Sequence, residues 1–372
     1  MRIAELRTPC YVVDEAKLEA NLKILKVVRD RTGAKILLAQ KAFSMFSVYP
    51  LIGRYLDGTT ASGLYEARLG KEEMGGETHV FEAAYRDDEF SEIARISDYI
   101  VFNSLAQLDK FKSAAAGKNI GLRINPQCST QEQVIYDPCS PFSRLGVTAE
   151  QLGDALPDCV SGLHFHTLCE QNSDALEATL DAVEDKFGKY LSRLKWINFG
   201  GGHHITRADY DIPRLERCIR RMQDKYGLQV YLEPGEAVAL NAGLLITTVL
   251  DVVHNGMDIA IVDASAACHM PDVIEMPYRP PLIGSGLPDE KKYTCRIAGP
   301  TCLAGDIIGD YSFDRQLKPG DRLSFGDMAI YTMVKNNTFN GMRLPDIVLL
   351  DKSGDCRVIK SFGYEDFKQR LS

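Results

Sequence analysis

Residues 35–41 read Lys-Ile-Leu-Leu-Ala-Gln-Lys, a short apolar run with a lysine at each end. A run of this length between helical stretches is typical of a buried parallel β-strand. Seven similar runs follow: Gly58–Ser62, His79–Ala84, Tyr99–Asn103, Ile120–Asn125, Gly162–Thr167, Trp196–Gly202 and Val230–Gly235. Helical patterns accompany them: Ala16–Arg31, Leu64–Met74, Phe90–Ser97, Leu105–Ala116, Ala175–Leu191 and Ile212–Tyr226. Strands and helices in this alternation predict an α/β fold, a (β/α)8 barrel over residues 22–255.

The pattern changes after about residue 255. Short β-type runs then alternate with turn signals such as Lys318-Pro319-Gly320-Asp321, and helical periodicity is nearly absent. The runs are Met257–Asp263, Tyr293–Ile297, Asp321–Phe325 and Asp346–Leu350. They predict a mainly antiparallel β domain over residues 256–372, joined by residues 1–21 because Thr8–Val13 also has strand character. The long connection Pro126–Val160 is expected to carry a lid or an interface segment.

Composition narrows the class of protein. The chain has 372 residues, 45% hydrophobic and 25% charged, as in ordinary globular proteins, and its net charge of −8 argues against a nucleic-acid partner. No apolar run approaches the length of a membrane span, and Met1–Arg7 lacks the apolar segment of a signal peptide. The ten cysteines contain no CxxC pair. We therefore expect a cytoplasmic protein with reduced thiols and no membrane partner.

Chemistry in such barrels lies at the carboxyl ends of the strands. The first of these ends is Lys41, which follows an apolar run and should lose part of its hydration there. Desolvation lowers the pKa of a lysine and makes its amine competent to form an imine. The competing interpretation is a lysine whose stem packs on the strand while its ammonium reaches water.

Three further strand ends carry distinctive groups. Gly200-Gly201-Gly202 follows the seventh run, where barrels of this kind bind phosphate through backbone N–H groups, although glycine-rich turns are common. Glu233 offers a carboxylate that could face a pyridine nitrogen. The competing interpretation of Glu233 is an ordinary solvated acid. His164 and His166 share one face of their strand. A third metal ligand is not evident, so we predict no metal site and a ring of one histidine stacked on a flat cofactor. Together these groups indicate pyridoxal phosphate.

The chain also resembles the fold-type III pyridoxal-phosphate decarboxylases, the alanine racemase-like group that contains ornithine, diaminopimelate and arginine decarboxylases. The resemblance runs from Thr8 to Leu349. Its most specific marks are Cys139-Ser140-Pro141-Phe142-Ser143-Arg144-Leu145-Gly146, Asn198-Phe199-Gly200-Gly201-Gly202-His203-His204 and Gly299-Pro300-Thr301-Cys302.

The resemblance implies a role for each matched residue. Lys41 would carry the cofactor as a Schiff base, and His166 would stack on its ring. Glu233 would meet the pyridine nitrogen, while Gly200, Gly201, Gly202 and Tyr331 would hold the phosphate. Cys302 would come from the partner subunit of a homodimer with shared active sites and would protonate the α-carbon after CO2 leaves.

Two departures from the family pattern concern the ligands. Relatives usually carry Gly-Ser-Gln or Gly-Ser-Gly where this chain has Thr167-Leu168-Cys169-Glu170, which removes one expected phosphate contact. Many relatives read Glu-Pro-Gly-Arg where this chain ends in Glu236. A glutamate suits a cation, so Glu236 is expected to bind a protonated amine, with Asp272 and Asp306 as further acidic contacts. The alternative for each acid is a solvated loop residue.

These departures favour a carboxylated polyamine as substrate over diaminopimelate, whose distal end carries a carboxylate. The same fold leaves other functions open. The chain could be a diaminopimelate, arginine or ornithine decarboxylase, or a racemase, although no opposed catalytic tyrosine is identifiable. A non-catalytic pyridoxal-phosphate carrier is a further alternative. Such carriers resemble the barrel alone, so the β domain and the Gly299–Cys302 motif argue against it.

Overall fold

The computed structural model describes all 372 residues, which form two compact units. The barrel unit comprises residues 20–238, and the β unit comprises residues 1–19 and 239–372. The predicted barrel and the predicted, mostly antiparallel sheet are both present, so the fold prediction is confirmed.

The barrel unit contains eight parallel strands closed into a ring. The strands are Lys35–Ala39, Gly58–Ala61, Glu77–Phe81, Tyr99–Phe102, Asn119–Arg123, Gly162–His164, Trp196–Asn198 and Gln229–Leu232. Closure comes from the first and last strands, where Lys35 lies opposite Tyr231 and Ile36 opposite Leu232. The helices of this part of the chain are Glu15–Thr32, Tyr49–Ile52, Leu64–Glu73, Asp87–Ile96, Leu105–Phe111, Ala149–Leu152, Ser173–Leu191, Ile212–Tyr226 and Glu236–Ala239.

Every predicted barrel strand exists, but the strands end earlier than predicted. The first ends at Ala39 rather than Lys41, and the seventh ends at Asn198 rather than Gly202. Beyond Asn198 the backbone keeps only scattered bonds to the next strand, Phe199 N–H to Tyr231 O at 2.9 Å and Glu233 N–H to Gly200 O at 2.8 Å, while the N–H of Gly200 donates to the Asn198 side chain at 2.8 Å. The residues predicted to carry chemistry therefore lie in the turns just beyond the strands.

Aromatic side chains fill the interior of the barrel. Trp196, the single tryptophan of the chain, is only 2% exposed and packs with Tyr231, Leu37 and Val101. A Cβ added at Gly162 would lie 2.0 Å from the Trp196 ring. The indole therefore occupies the volume that a larger residue at position 162 would need.

The β unit is an eight-stranded sheet. Its strands are Cys10–Asp14, Gly243–His254, Asp258–Val262, Tyr293–Ala298, Ile307–Phe313, Arg322–Gly326, Asp346–Leu350 and Cys356–Lys360. Two pairs are parallel, Cys10–Asp14 with Asp346–Leu350 and Asp258–Val262 with Tyr293–Ala298, and the other pairs are antiparallel. Short helices lie at Ala266–His269, Asp272–Glu275 and Tyr364–Lys368.

The N-terminal strand joins the C-terminal sheet, as predicted from Thr8–Val13: Cys10 lies opposite both Ile246 and Asp346.

The limit between the units differs from the predicted one at residue 255. The strand Gly243–His254 belongs to the β unit because it pairs with three strands of that sheet. The apolar residues of this strand do not alternate strictly with polar ones. In the structure its first half is mostly buried and its second half is partly exposed. The strands Ile307–Phe313 and Cys356–Lys360 were also not predicted.

All ten cysteines are free thiols. Five of them, Cys10, Cys218, Cys268, Cys295 and Cys356, are buried, as expected of small apolar side chains. Cys302, in the predicted Gly299–Cys302 motif, is exposed. No helix has the length and apolar character that crossing a membrane requires.

Replacing Gly162 by alanine is expected to destabilise the protein by about 1–3 kcal/mol, because the new methyl group overlaps the buried Trp196 ring. Thermal or urea unfolding measures the loss. Gly188→Ala is the matched control: Gly188 lies inside the helix Ser173–Leu191, and only the Tyr226 hydroxyl, at 4.0 Å, would approach the new methyl. That variant should be at least as stable as the wild type. Equal stability of the two variants would contradict the packing account.

Candidate active site

A cavity of about 260 Å³ opens at the carboxyl ends of the barrel strands. It brings together four residues singled out from the sequence, namely Lys41, His166, Gly201 and Glu233. The other lining residues are Ala39, Thr60, Ala61, Ser62, Phe81, Glu82, Ala83, Arg123, Arg144, Leu145 and His164. An amine, a carboxylate and imidazole rings thus line one cavity.

Lys41 lies in the turn after the first strand, and its side chain has accessible surface because it faces the cavity. The turn is fixed by Gln40, whose N–H donates to Thr60 O and whose side-chain amide donates to Glu66 O. Surrounding protein and the positive charge of Arg123 lower the pKa of the Lys41 ammonium, although Glu233 opposes the shift. The amine is therefore more available as a nucleophile than that of a surface lysine.

Glu233 follows the last strand directly and is buried. Burial alone would raise its pKa, but two hydrogen-bond partners outweigh burial and hold the pKa below its ordinary value. Asn198 Nδ2 donates to Oε1 at 2.7 Å, and His164 Nε2 lies 3.1 Å from Oε2. Because a carboxylate only accepts, His164 carries its proton on Nε2. Burial lowers the pKa of His164, so its imidazole is neutral.

Asn198 also connects Glu233 to the glycine turn. Its Oδ1 accepts the N–H of Gly200 at 2.8 Å, and the next N–H, that of Gly201, donates to His166 Nδ1 at 2.7 Å. Burial, with Lys41 and Arg123 nearby, lowers the pKa of His166 far below its ordinary value. The turn therefore orients a neutral imidazole at the cavity wall, and two of its three N–H groups have protein acceptors.

The glycine turn requires residues without a side chain because its backbone lies close to other parts of the chain. A Cβ at Gly201 would lie 2.5 Å from the backbone oxygen of Glu233, and one at Gly202 would lie 1.9 Å from that of Leu168. Gly202 also has a φ of +80°, which favours glycine. The turn thus packs directly against the segment Thr167–Glu170, where the sequence departs from the family pattern.

Several polar residues of the site were not identified from the sequence, among them the buried Arg123 and Asn198. Arg123 is buried at the end of its strand, and its guanidinium lies 4.6 Å from the centre of the Phe81 ring. Burial lowers its pKa to about 10, so it stays charged near neutral pH. Asn198 is the other. Both were visible as polar residues inside otherwise apolar runs, a pattern that signals a buried polar contact.

Glu236 does not line the cavity; it begins the short helix Glu236–Ala239. Its Oε2 lies 3.5 Å from Nε2 of the buried His204, and Glu170 completes a group whose ligand atoms lie within 4.8 Å of one another. Two carboxylates this close together favour a cation between them. Glu170 and His204 were not among the predicted residues.

The other predicted residues lie in the β unit. Cys302 is exposed, and its N–H donates to Asn340 Oδ1 at 2.6 Å. Tyr331 is half-buried with a φ of +53°. Asp272 forms an ion pair with Lys335, so its carboxylate already has a cationic partner.

Asp306 differs from its expected role as a substrate contact. It is buried, and one carboxylate oxygen accepts from Ser265 Oγ and Ala266 N at 3.0 and 2.8 Å. The other oxygen accepts from Thr301 Oγ1 at 2.7 Å. These bonds join the Gly299–Cys302 segment to the start of the helix Ala266–His269, so the geometry supports a structural role for Asp306.

The family model described as pyridoxal-dependent decarboxylase, C-terminal sheet domain, matches residues 10–329. A carboxynorspermidine/carboxyspermidine decarboxylase of Campylobacter jejuni is 44% identical, over 98% of this chain and 99% of that protein. A carboxyaminopropylagmatine decarboxylase of Synechocystis is 41% identical, over 100% of this chain and 97% of that protein. The predicted family is therefore confirmed.

Solved structures agree with this result. Carboxynorspermidine decarboxylase of Campylobacter jejuni complexed with norspermidine superposes with a TM-score of 0.92 at 43% identity, covering 98% of this chain and 100% of that one. Diaminopimelate decarboxylase of Helicobacter pylori complexed with L-lysine gives 0.83 at 18% identity, over 99% and 97%. At that identity the second match shows the shared fold alone.

Asn198→Ala is expected to lower the free energy of unfolding at pH 7 by about 2–3 kcal/mol, because a buried carboxylate loses a charge-assisted donor. The pKa of Glu233 is depressed in the folded state, so its stabilisation is present above its ordinary value of 4.5 and is lost as the pH falls. In urea unfolding, the difference in unfolding free energy between variant and wild type should therefore hold above pH 4.5 and narrow as the pH falls from 4.5 toward about 2. Asn119→Ala, which removes a longer contact with a backbone oxygen, is the control. Equal losses in both variants would contradict the account.

Proposed function

The chain belongs to the pyridoxal-dependent decarboxylase family, and from this premise we propose that it removes the α-carboxylate, as CO2, from a carboxylated polyamine such as carboxynorspermidine or carboxyspermidine. The reaction would yield norspermidine or spermidine in polyamine biosynthesis. The cavity that joins the Lys41 amine to the Glu233 carboxylate and the His166 ring is the observation that carries the proposal.

The residues around the cavity fit pyridoxal phosphate. An amine of lowered pKa suits its aldehyde, an ionised buried carboxylate suits its pyridine nitrogen, and a neutral imidazole suits the face of its ring. When bound, the cofactor supplies an aldehyde that combines with amines and a ring that accepts the electron pair left when CO2 departs. The protein contributes orientation and charge.

In this proposal Lys41 would hold the cofactor, and its amine would give way to the amine of the substrate. Glu233, kept ionised by Asn198 and His164, stabilises a proton on the pyridine nitrogen. His166 would lie against the ring of the cofactor, and the Gly201 N–H holds its imidazole in a fixed orientation. The phosphate contacts assigned to Gly200, Gly201, Gly202 and Tyr331 belong to the same proposal; among the glycines the Gly202 N–H is the one free for a phosphate, because the N–H groups of Gly200 and Gly201 donate to Asn198 and His166.

Substrate choice is assigned to the acids outside the cavity lining. Glu236, with Glu170 and His204 beside it, is proposed to bind a protonated amine of the polyamine. Asp272 is a second candidate that would share the cation with Lys335. The names of the Campylobacter and Synechocystis relatives agree in one respect, that each substrate is a carboxylated amine. Asp306 is left out because its oxygens already accept hydrogen bonds.

The active form is proposed to be a homodimer in which Cys302 of one subunit protonates the α-carbon in the other subunit's site. The exposure of Cys302 supports this role, since its thiol is not committed to the core of its own unit. Exposed apolar side chains at Val134, Ile135 and Phe142, in the long connection after the fifth strand, support a protein interface.

A substrate panel tests the proposed reaction. The wild type should release CO2 from carboxynorspermidine or carboxyspermidine with a kcat/KM at least about a hundredfold above that for diaminopimelate, arginine or ornithine. Diaminopimelate carries a carboxylate at its distal end, and arginine and ornithine have one cationic group beyond the α-carbon where the carboxylated polyamine has two. Carboxyaminopropylagmatine belongs in the panel as a second carboxylated amine. Glu236→Arg should lower kcat/KM for the carboxylated polyamine about 10- to 100-fold.

Glu73→Arg, the same change at an exposed helix end, is the matched control and should keep wild-type turnover. Release of CO2 from diaminopimelate alone would refute the substrate assignment. Unchanged polyamine turnover in Glu236→Arg would refute the role of Glu236 and leave the reaction standing.

Co-expression of differently tagged Lys41→Ala and Cys302→Ala chains tests the shared sites. Each variant alone should be impaired, whereas the purified hybrid should recover about half of wild-type activity, because one of its two sites then has both residues. Lys41→Ala chains carrying both tags are the control and should stay inactive. An inactive hybrid would show that Cys302 acts within its own subunit.

A further inference from the structure

Glu82 lines the cavity that contains Lys41 and has no place in the mechanism described above. It comes directly after the third barrel strand, Glu77–Phe81, and therefore lies at the carboxyl ends of the strands, as Lys41 and Glu233 do. The turn is held in place because Ala83 O accepts from Gln107 Nε2 at 3.0 Å and the Tyr85 hydroxyl donates to Val80 O at 3.1 Å. The carboxyl group is thus presented to the cavity by a fixed backbone.

One oxygen of the Glu82 carboxyl group lacks a hydrogen-bond donor from the protein. Its Oε1 is buried and makes no hydrogen bond. A buried polar oxygen without a donor costs about 1–3 kcal/mol, so such groups are uncommon unless a ligand satisfies them. Glu233, the other acid of this cavity, differs because Asn198 and His164 already serve its oxygens.

The two charged groups that act most directly on Glu82, Glu89 and Glu66, are both acidic, and this favours a cation beside its carboxyl group. Burial raises the pKa of Glu82 to about 7, and its acidic neighbours Glu89 and Glu66 add to this shift because they repel a second negative charge. A protonated amine placed here would relieve both the repulsion and the missing hydrogen bond. The other charged or titratable groups of the cavity are Lys41, Arg123, Arg144, His164, His166 and Glu233.

We propose that Glu82 binds a protonated amine of the substrate inside the cavity and is a specificity-determining residue for the reaction. This inference rests on the proposed function and adds an acceptor to those assigned above. Its position is distinct from that of Glu236, which does not line the cavity. A polyamine carries amines at several points of its chain, so two acids at separate positions can act on one molecule.

The assignment has a consequence for protons. Near pH 7 part of the Glu82 population is protonated, and a bound ammonium stabilises the carboxylate, so amine binding releases a proton. Glu233, with a pKa of about 2, and Arg123, with a pKa of about 10, keep their charge between pH 6 and 8, and burial lowers the pKa values of His164 and His166 below the ordinary value of 6.5. Burial also lowers the pKa of Lys41, whose amine would be joined to the cofactor in the loaded protein. KM should therefore fall about tenfold from pH 6 to pH 8 as Glu82 ionises.

Glu82→Gln tests the assignment in the cofactor-loaded protein. The variant keeps the shape of the side chain and removes its charge, so KM for the carboxylated polyamine at pH 8 should rise about 10- to 100-fold, with kcat little changed. Its KM should also lose the dependence on pH. Calorimetry with norspermidine at pH 7, in buffers of different ionisation enthalpy, should find about half a proton released per amine bound by the wild type and a smaller release by the variant.

Glu89→Gln is the matched control because it removes a neighbouring acid that pairs with Arg86 and does not line the cavity. Its KM at pH 8 should equal that of the wild type, while the midpoint of its pH dependence should move to lower pH. This shift also tests the inference if Glu82→Gln does not fold.

Three results would overturn the assignment. The first is an unchanged KM in Glu82→Gln while the wild type turns over carboxylated polyamines. The second is a loss of cofactor absorbance in Glu82→Gln with unchanged amine binding by the loaded fraction, which would assign Glu82 to the cofactor. The third, if Glu82→Gln does not fold, is a pH midpoint that stays in place in Glu89→Gln. Failure of the wild type to decarboxylate any carboxylated polyamine would instead refute the proposed function.

Discussion

An ionised carboxylate inside the barrel is the constraint on which the rest of the site depends. Glu233 would be unstable there without donors, so Asn198 and His164 must be held at 2.7 and 3.1 Å from its oxygens. The same Asn198 side chain receives the N–H of Gly200. One buried charge therefore links the ends of the sixth, seventh and eighth strands to the glycine turn.

The cavity then holds two kinds of acid with different tasks. Glu233 has its donors within the protein, and its pKa is lowered; Glu82 lacks a donor at Oε1, and its pKa is raised to about 7. A group whose partners are built into the fold serves a permanent function, whereas a group without them is suited to a ligand that arrives and leaves. This contrast supports separate roles in cofactor and substrate binding.

The sequence predicted the barrel because its alternating apolar runs have one simple explanation, and it predicted Lys41 and Glu233 because strand ends are where barrel chemistry occurs. It did not predict Arg123 or Asn198, since their contacts with His166 and Glu233 join residues 43 and 35 positions apart, and a strand pattern does not show which side chains meet. Glu236 was identified from a departure from the family pattern, but its neighbours Glu170 and His204 come from other loops. The strand Gly243–His254 was not predicted because its apolar residues do not alternate strictly with polar ones, as its two halves differ in burial.

The central claim is that Lys41 in this cavity carries the cofactor. Borohydride reduction of the loaded protein, followed by peptide mass spectrometry, tests the claim directly because reduction makes an imine between lysine and pyridoxal phosphate permanent. The account predicts a phosphopyridoxyl group on the peptide that contains Lys41. A modification confined to another lysine, or none in protein that has the cofactor's absorbance, would contradict it.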